Sequence, residues 1–270
     1  MYSPLVAIMR VRASCDIELH LEVETPLLLM LRPRGGPSQR ITSESFSFSH
    51  EVPVDDYTDM FGNLCQRVVA PAVEFEIHTS VEAETVGAMA TAPGAPFISV
   101  QDLPLDVLCY MVPTRYCESD RLGDLARQVV GDALLGYDQV ATISDWIKRE
   151  VAYRPGTGES QLTADEVRRQ GFGVCRDLAH LGIAMCRSIS IPARMVVGYL
   201  AGLEPMDLHA WFEAYVGDRW YTFDPTQETL DNPRIAIAVG RDAADVAIYH
   251  QFGPLPITSA AYIDVEVLNK

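Results

Sequence analysis

The sequence predicts an α+β protein in which an N-terminal antiparallel β domain is followed by a mixed helix-and-sheet core. Three observations predict it. Apolar and polar side chains alternate through the first ninety residues. A stretch of prolines, a glycine and small residues then follows, Thr91-Ala92-Pro93-Gly94-Ala95-Pro96. Beyond it the apolar spacing becomes helical, and after Arg194 it becomes that of strands again. The expected division is a β domain over 1–90, a linker over 91–97 and a core over 98–270.

In the first part, Ile17, Leu19, Leu21 and Val23 interleave with Glu18, His20, Glu22 and Glu24, and Val73, Phe75 and Ile77 with Glu74, Glu76 and His78. Period-two patterning puts one face of a strand on a core and the other in water. Turns break these strands at Arg32-Pro33-Arg34-Gly35-Gly36-Pro37 and around Phe61-Gly62-Asn63. In the second part, 119–131 and 138–152 have helical spacing, and Thr163 with Glu166 forms a candidate capping box. After Gly171-Phe172-Gly173, the residues Val174, Leu178, Leu181, Met185 and Ile189 mark one face of a buried helix that Pro192 stops. Strands are expected around Met195–Val197, over 208–216 and 219–224 about a Gly217-Asp218 turn, and at Ile263, Val265 and Val267.

Composition removes several functions. The 270 residues hold 21 Lys and Arg against 37 Asp and Glu, a net charge of −16. Such a surface repels phosphate backbones and anionic lipid, so neither nucleic acid nor a membrane is an expected partner. The run Leu27–Leu31 is far short of the ~20 apolar residues of a span. Met1–Pro4 has no basic region before its apolar stretch and does not read as a secretory signal, which points to the cytoplasm. The 6 cysteines are scattered without a CxxC. Neither a disulfide framework nor a zinc ribbon is expected, and most should be small buried hydrophobes.

One cysteine stands apart. Cys175 follows a glycine-flanked turn and opens the buried helix. The field at a helix start favours a thiolate, and its unpaired N–H groups can hold a developing oxyanion. A nucleophilic cysteine needs a base, and His209 begins a strand. With Gly217 and Asp218 as a two-residue turn, Trp211 faces Asp224 and His209 faces Thr226. Asp224 is then the diagonal neighbour of His209, about 7–8 Å away between backbones. A three-residue loop would turn Asp224 away unless a bulge corrected it. The register therefore permits a Cys175-His209-Asp224 set: nucleophile, general base and acid, and the carboxylate that orients the imidazole. A second oxyanion donor would come from upstream, with Trp146, Tyr153 and Gln170 as candidates. His180 is read as packing or surface, Asp177 as serving the helix start, and Arg194 as pairing with an internal carboxylate. The spacing of Cys175, His180, Cys186 and His209 fits no standard zinc set.

At these residues the chain resembles the transglutaminase-like cysteine peptidase superfamily. The blocks are Gly171-Phe172-Gly173-Val174-Cys175-Arg176-Asp177, Ile191-Pro192-Ala193-Arg194 with Gly198-Tyr199, His209-Ala210-Trp211, and Phe223-Asp224-Pro225-Thr226. Arg32-Pro33-Arg34 and Asp59-Met60-Phe61-Gly62-Asn63 are similar to the N-terminal domain of bacterial members. The resemblance implies a papain-like core with its nucleophile at a helix N-terminus on an antiparallel sheet, the triad carried onto Cys175, His209 and Asp224, and amide-bond chemistry through a thioester. It thus implies a cysteine peptidase or amidohydrolase acting on a protein or peptide. The alternatives are a protein-glutamine acyltransferase with the same triad, or a binding protein that keeps the fold without turnover. No cofactor or metal is expected. Calcium, used by animal cross-linking members, is not carried over, since no EF-hand-type acidic loop is present. The sequence leaves the oligomeric state open.

Overall fold

The computed structural model describes residues 7–156 and 161–269. The N-terminal residues form six strands: β1 (Ile8–His20), β2 (Thr25–Arg32), β3 (Gln39–Phe48), β4 (Val54–Thr58), β5 (Leu64–Ala70) and β6 (Glu74–Val86). Helices α1 (Gly123–Val130) and α2 (Tyr137–Glu150) follow three short 3-10 turns. Then come β7 (Ala152–Tyr153), α3 (Ala164–Gln170), β8 (Phe172–Gly173) and α4 (Cys175–Ser188). The chain closes with β9 (Ala193–Leu200), β10 (His209–Val216), β11 (Arg219–Phe223), β12 (Arg234–Gly240), β13 (Tyr249–Gln251) and β14 (Thr258–Asn269). This is the α+β class the sequence predicts.

Three four-stranded sheets organise these elements, in the orders β14-β1-β6-β3, β13-β2-β5-β4 and β11-β10-β9-β12, all antiparallel. The first two sandwich Val11, Leu19, Leu27, Leu29, Phe75 and Ile77, which are fully or almost fully buried. The sequence reading attaches 98–270 to one core. In the sheets, however, β13 pairs with β2, and β14 pairs with β1 along its length. The alternation at Ile263, Val265 and Val267 marks a strand but not its partner, because period two is the same against either sheet. Nor does 91–97 hang free. The Gly217 N–H donates to Pro96 O at 2.9 Å, and the Tyr137 N–H donates to Ala95 O at 3.0 Å.

The third sheet carries α4 on the face that includes Phe212, in a shared core with Leu178, Leu181 and Met185. Its outer strand β12 is fastened by N-terminal side chains. The Gln39 amide donates to Ala236 O at 2.8 Å and accepts from the Ala236 N–H at 2.7 Å. The Asn63 amide does the same with Val239, at 2.8 and 2.9 Å. Two primary amides thus take the place of a neighbouring strand and satisfy an edge that would otherwise leave buried polar groups unmet. Asp59 holds Asn63 by its backbone and side-chain N–H groups, both at 2.8 Å. Arg34 donates to Gly62 O at 2.8 Å. The Arg32–Arg34 and Asp59–Asn63 motifs therefore build the clasp that meets β12.

Candidate active site

The site begins with a short parallel bridge. Tyr153 of β7 pairs with Gly173 of β8, so the chain enters α4 at a fixed angle. Asp177, at the third helical position, accepts from the Val174 N–H at 3.2 Å, which is the expected service to the helix start. Cys175 is the first residue of α4 and is half-buried. It lines a cleft of about 560 Å³ together with Tyr153, Met195, Asp207, His209 and Tyr249.

His209 opens β10, opposite Gly198 of β9. The hairpin that follows has the two-residue turn: Phe212 pairs with Phe223 and Val216 with Arg219, with φ of 54° at Gly217 and 64° at Asp218. Positive φ at both central residues suits the right-handed strand twist. In this register Asp224, one residue past β11, reaches back, and its Oδ2 lies 2.8 Å from His209 Nε2. Thr226 donates from its hydroxyl to Asp224 Oδ1 at 2.7 Å and from its N–H at 3.2 Å. His209 and Asp224 are almost wholly buried. The structure thus bonds His209 to Asp224 and sets it on the same cleft as Cys175, the three groups the sequence singles out.

The electrostatics follow from this packing. Burial works to lower the His209 pKa, but the hydrogen bond and charge of Asp224, with the nearby Cys175 sulfur, outweigh it and raise it to about 9. Burial works to raise Asp224, and the bonds and charges of His209, Arg234 and Thr226 hold it below the ordinary carboxylate value. Nε2 is committed to Asp224 and Nδ1 has no hydrogen-bond partner among the described residues, so Nδ1 is the nitrogen available to exchange a proton at the cleft. The other five thiols, Cys15, Cys65, Cys109, Cys117 and Cys186, are all pushed up, in each case mainly by burial.

Of the three upstream donor candidates, Tyr153 lines the cleft. Burial, and after it the Cys175 charge, push its phenol up to about 12, so it keeps its proton. The Gln170 amide donates instead to Phe172 O at 2.7 Å, and Trp146 packs against the core. Arg194 pairs with Glu213, as expected of an internal carboxylate, with its Nε donating at 2.7 Å. Trp211 is buried under His209, with ring centroids 6.2 Å apart. Arg234 belongs to none of the sequence motifs. It is 1% exposed, and its Nη1 lies 3.2 Å from Asp224 Oδ2. Among the described residues, no group of three or more His, Cys, Asp or Glu is arranged to hold a metal ion.

His180 is packing. Its ring stacks on Tyr116, Nδ1 donates to Leu162 O at 3.1 Å, and Nε2 accepts the Ala243 N–H at 3.2 Å. It therefore ties α4 to the 243–249 segment that walls the cleft. Burial lowers its pKa to about 4. As pH falls from about 6.5 to about 4, the unfolded chain takes up a proton that the native ring refuses, so stability falls across that window by up to about 3 kcal/mol. Asp242 contributes at lower pH. Burial would raise it, but Thr114 and the Tyr116 and Ala244 N–H groups hold it below the ordinary value, so its stabilisation is lost only as it protonates. Urea unfolding at pH 7 and pH 5 should show the His180 loss in the wild type and a much flatter response in His180→Gln. Equal slopes would remove the assignment.

Comparison with known proteins identifies the family. Residues 123–225 match the transglutaminase-like superfamily. A crystal structure from Cytophaga hutchinsonii, described as that of a "Putative Cysteine Protease", superposes with a TM-score of 0.86 at 33% identity, over 98% of this chain and 92% of that one. The chain belongs to the transglutaminase-like superfamily. The likeness to the Cytophaga hutchinsonii structure includes the N-terminal strands as well as the helix and sheet about Cys175. An uncharacterized protein of Mycobacterium leprae, ML0607, is 34% identical over 117 residues, which is 40% of this chain and 42% of that protein. The match therefore spans about two fifths of that curated relative. Among the described residues, no helix is long and apolar enough to cross a membrane.

Proposed function

We propose that this member of the superfamily is a thiol-dependent amide hydrolase acting on peptides. The observation that carries the reading is the convergence of three groups: Cys175 at the start of α4, on a cleft shared with His209, and His209 Nε2 bound to buried Asp224 at 2.8 Å. Cys175 is the nucleophile, His209 the acid and base, and Asp224 fixes the tautomer and stabilises the imidazolium. With a pKa near 9, His209 carries its proton through neutral pH. The Cys175 sulfur attacks the amide carbon as a thiolate. The carbonyl oxygen becomes an oxyanion facing the Cys175 N–H and the Tyr153 hydroxyl. The C–N bond breaks as His209 protonates the departing amine, leaving a thioester. His209, now neutral, takes a proton from water. The hydroxide adds, the C–S bond breaks, and acid and thiolate are released.

The walls about the sulfur are mostly apolar, including Met195, Val197, Leu203, Pro205, Met206 and Leu208. They suit a neutral or apolar acyl group better than a charged one. The acidic surface argues against nucleic acid and anionic membranes as partners. Six free thiols support a reducing compartment, and we assign the protein to the cytoplasm.

The test needs no known substrate. The folded protein is exposed to limiting iodoacetamide at neutral pH, and labelling of each cysteine is followed by mass spectrometry. Cys175 should react about tenfold or more faster than any other cysteine, and His209→Asn should remove the advantage. Labelling at one common rate would refute the activated nucleophile. Loss of an acyl group to added primary amine rather than water would convert the reading to acyl transfer on the same triad.

A further inference from the structure

We propose that Arg234 is a positioning residue, a buried counter-charge that lets Cys175 and His209 exchange a proton within a balanced site. The inference rests on the triad reading above. Asp224 Oδ2 takes two donors, His209 Nε2 at 2.8 Å and Arg234 Nη1 at 3.2 Å. Its other oxygen takes Thr226. The carboxylate therefore serves a histidine at the cleft and an arginine behind it. Without the arginine, a buried carboxylate and a thiolate would share one positive imidazolium. With it, the four groups sum to zero charge in the ion-paired state. Burying an unbalanced charge is costly, so this difference bears on which protonation state the site adopts.

Asp224 is the carboxylate that Arg234 pairs with. The Arg234 guanidinium carbon lies 5.1 Å from the centroid of Trp211, and its Nε and Nη2 are buried with no hydrogen-bond partner among the described residues. Its strand is held from behind. The Thr85 hydroxyl of β6 donates to Arg234 O at 2.8 Å, and Gln39 and Asn63 grip Ala236 and Val239. The N-terminal domain thus fixes the strand that delivers the counter-charge, which gives its Arg32–Arg34 and Asp59–Asn63 motifs a role in the chemistry. Other charged groups face this region: Glu213 acts on Arg234 from β10, Asp207 and Arg176 line the cleft, Asp177 sits in the first turn of α4, and Tyr153 faces the sulfur from β7. None of these donates to Asp224, whose donors are His209, Thr226 and Arg234.

The readout is the pH dependence of Cys175 alkylation in the full chain. In Arg234→Met, each deprotonation in the site becomes harder, so the acid limb moves up by about one pH unit and the rate on that limb falls about tenfold. Arg234→Lys restores the limb. Should Arg234→Met fail to fold, the pair Asp224→Asn and Asp224→Asn/Arg234→Met supplies the same comparison, because removing both partners leaves no lone buried charge. Relative to the single Asp224→Asn, the double variant should lie at higher pH. A purely structural role lowers the fraction of reactive protein and leaves the limb in place. An unmoved limb, or one moved to lower pH, overturns the inference. His209→Asn is run alongside. If it leaves alkylation unchanged, the triad itself fails and this inference with it. If it slows alkylation while the Arg234 variants keep the wild-type limb, only the role of Arg234 is lost.

Discussion

Cys175→Ala is expected to abolish turnover, and His209→Ala to cost nearly as much, each by roughly 10⁴-fold or more, with no further loss when the two are combined. The reason is geometric. Among the described residues the imidazole has no other thiol to serve, since every other one is held up mainly by burial and only Cys175 lines the cleft with His209. A residue pair that passes one proton fails as a unit, so the second substitution removes nothing that the first has left. Asp224→Asn should cost about 10³ to 10⁴, because the helix start and the cleft remain. An activated p-nitrophenyl ester with an apolar acyl group gives the measurement. The wild type should release one equivalent of nitrophenol per chain in a burst as the thioester forms, then turn over more slowly. Cys175→Ala should show neither phase while keeping its fold by circular dichroism. A burst that persists in Cys175→Ala would place the nucleophile elsewhere.

The register that builds the site is legible in the chain because it rests on local rules. A two-residue turn at Gly217-Asp218 dictates which residues of β10 and β11 oppose each other, and Asp224 falls on the His209 side without knowledge of the rest of the molecule. The buried helix is legible for the same reason: its apolar spacing, its glycine-flanked entry and Pro192 are all close in sequence. What stays hidden is what depends on distant partners. Arg234 begins a strand whose Ile235, Ile237 and Val239 alternate, yet nothing nearby says that its guanidinium turns in beneath Asp224. Gln39 and Asn63 look like turn residues, and their hold on Ala236 and Val239 spans nearly two hundred positions. Likewise, alternation marks β14 as a strand, but the choice of β1 as its partner is made by the fold.

Gly198→Ala is expected to destabilise the protein by about 3 kcal/mol or more and to take the site with it. Gly198 lies within β9, between His209 on one side and Ala236 on the other. A Cβ there would stand 2.1 Å from the Ile235 carbonyl oxygen and 3.0 Å from the Ala236 Cα. Both are backbone atoms of β12, so no rotamer change relieves the clash and the strand itself must move. β12 cannot move freely, because Thr85, Gln39 and Asn63 hold it from the far side. The clash therefore either separates β9 from β12 or breaks the clasp, and Arg234 shifts from Asp224 in both cases. Thermal unfolding and Cys175 alkylation together measure the effect: the midpoint should drop by several degrees, and the selective labelling of Cys175 should weaken even below the transition. Gly36→Ala, where an added Cβ meets nothing within 4 Å, is the control and should leave both unchanged. A Gly198→Ala protein as stable as the control would mean that β9 and β12 do not approach as closely as their hydrogen-bond ladder requires.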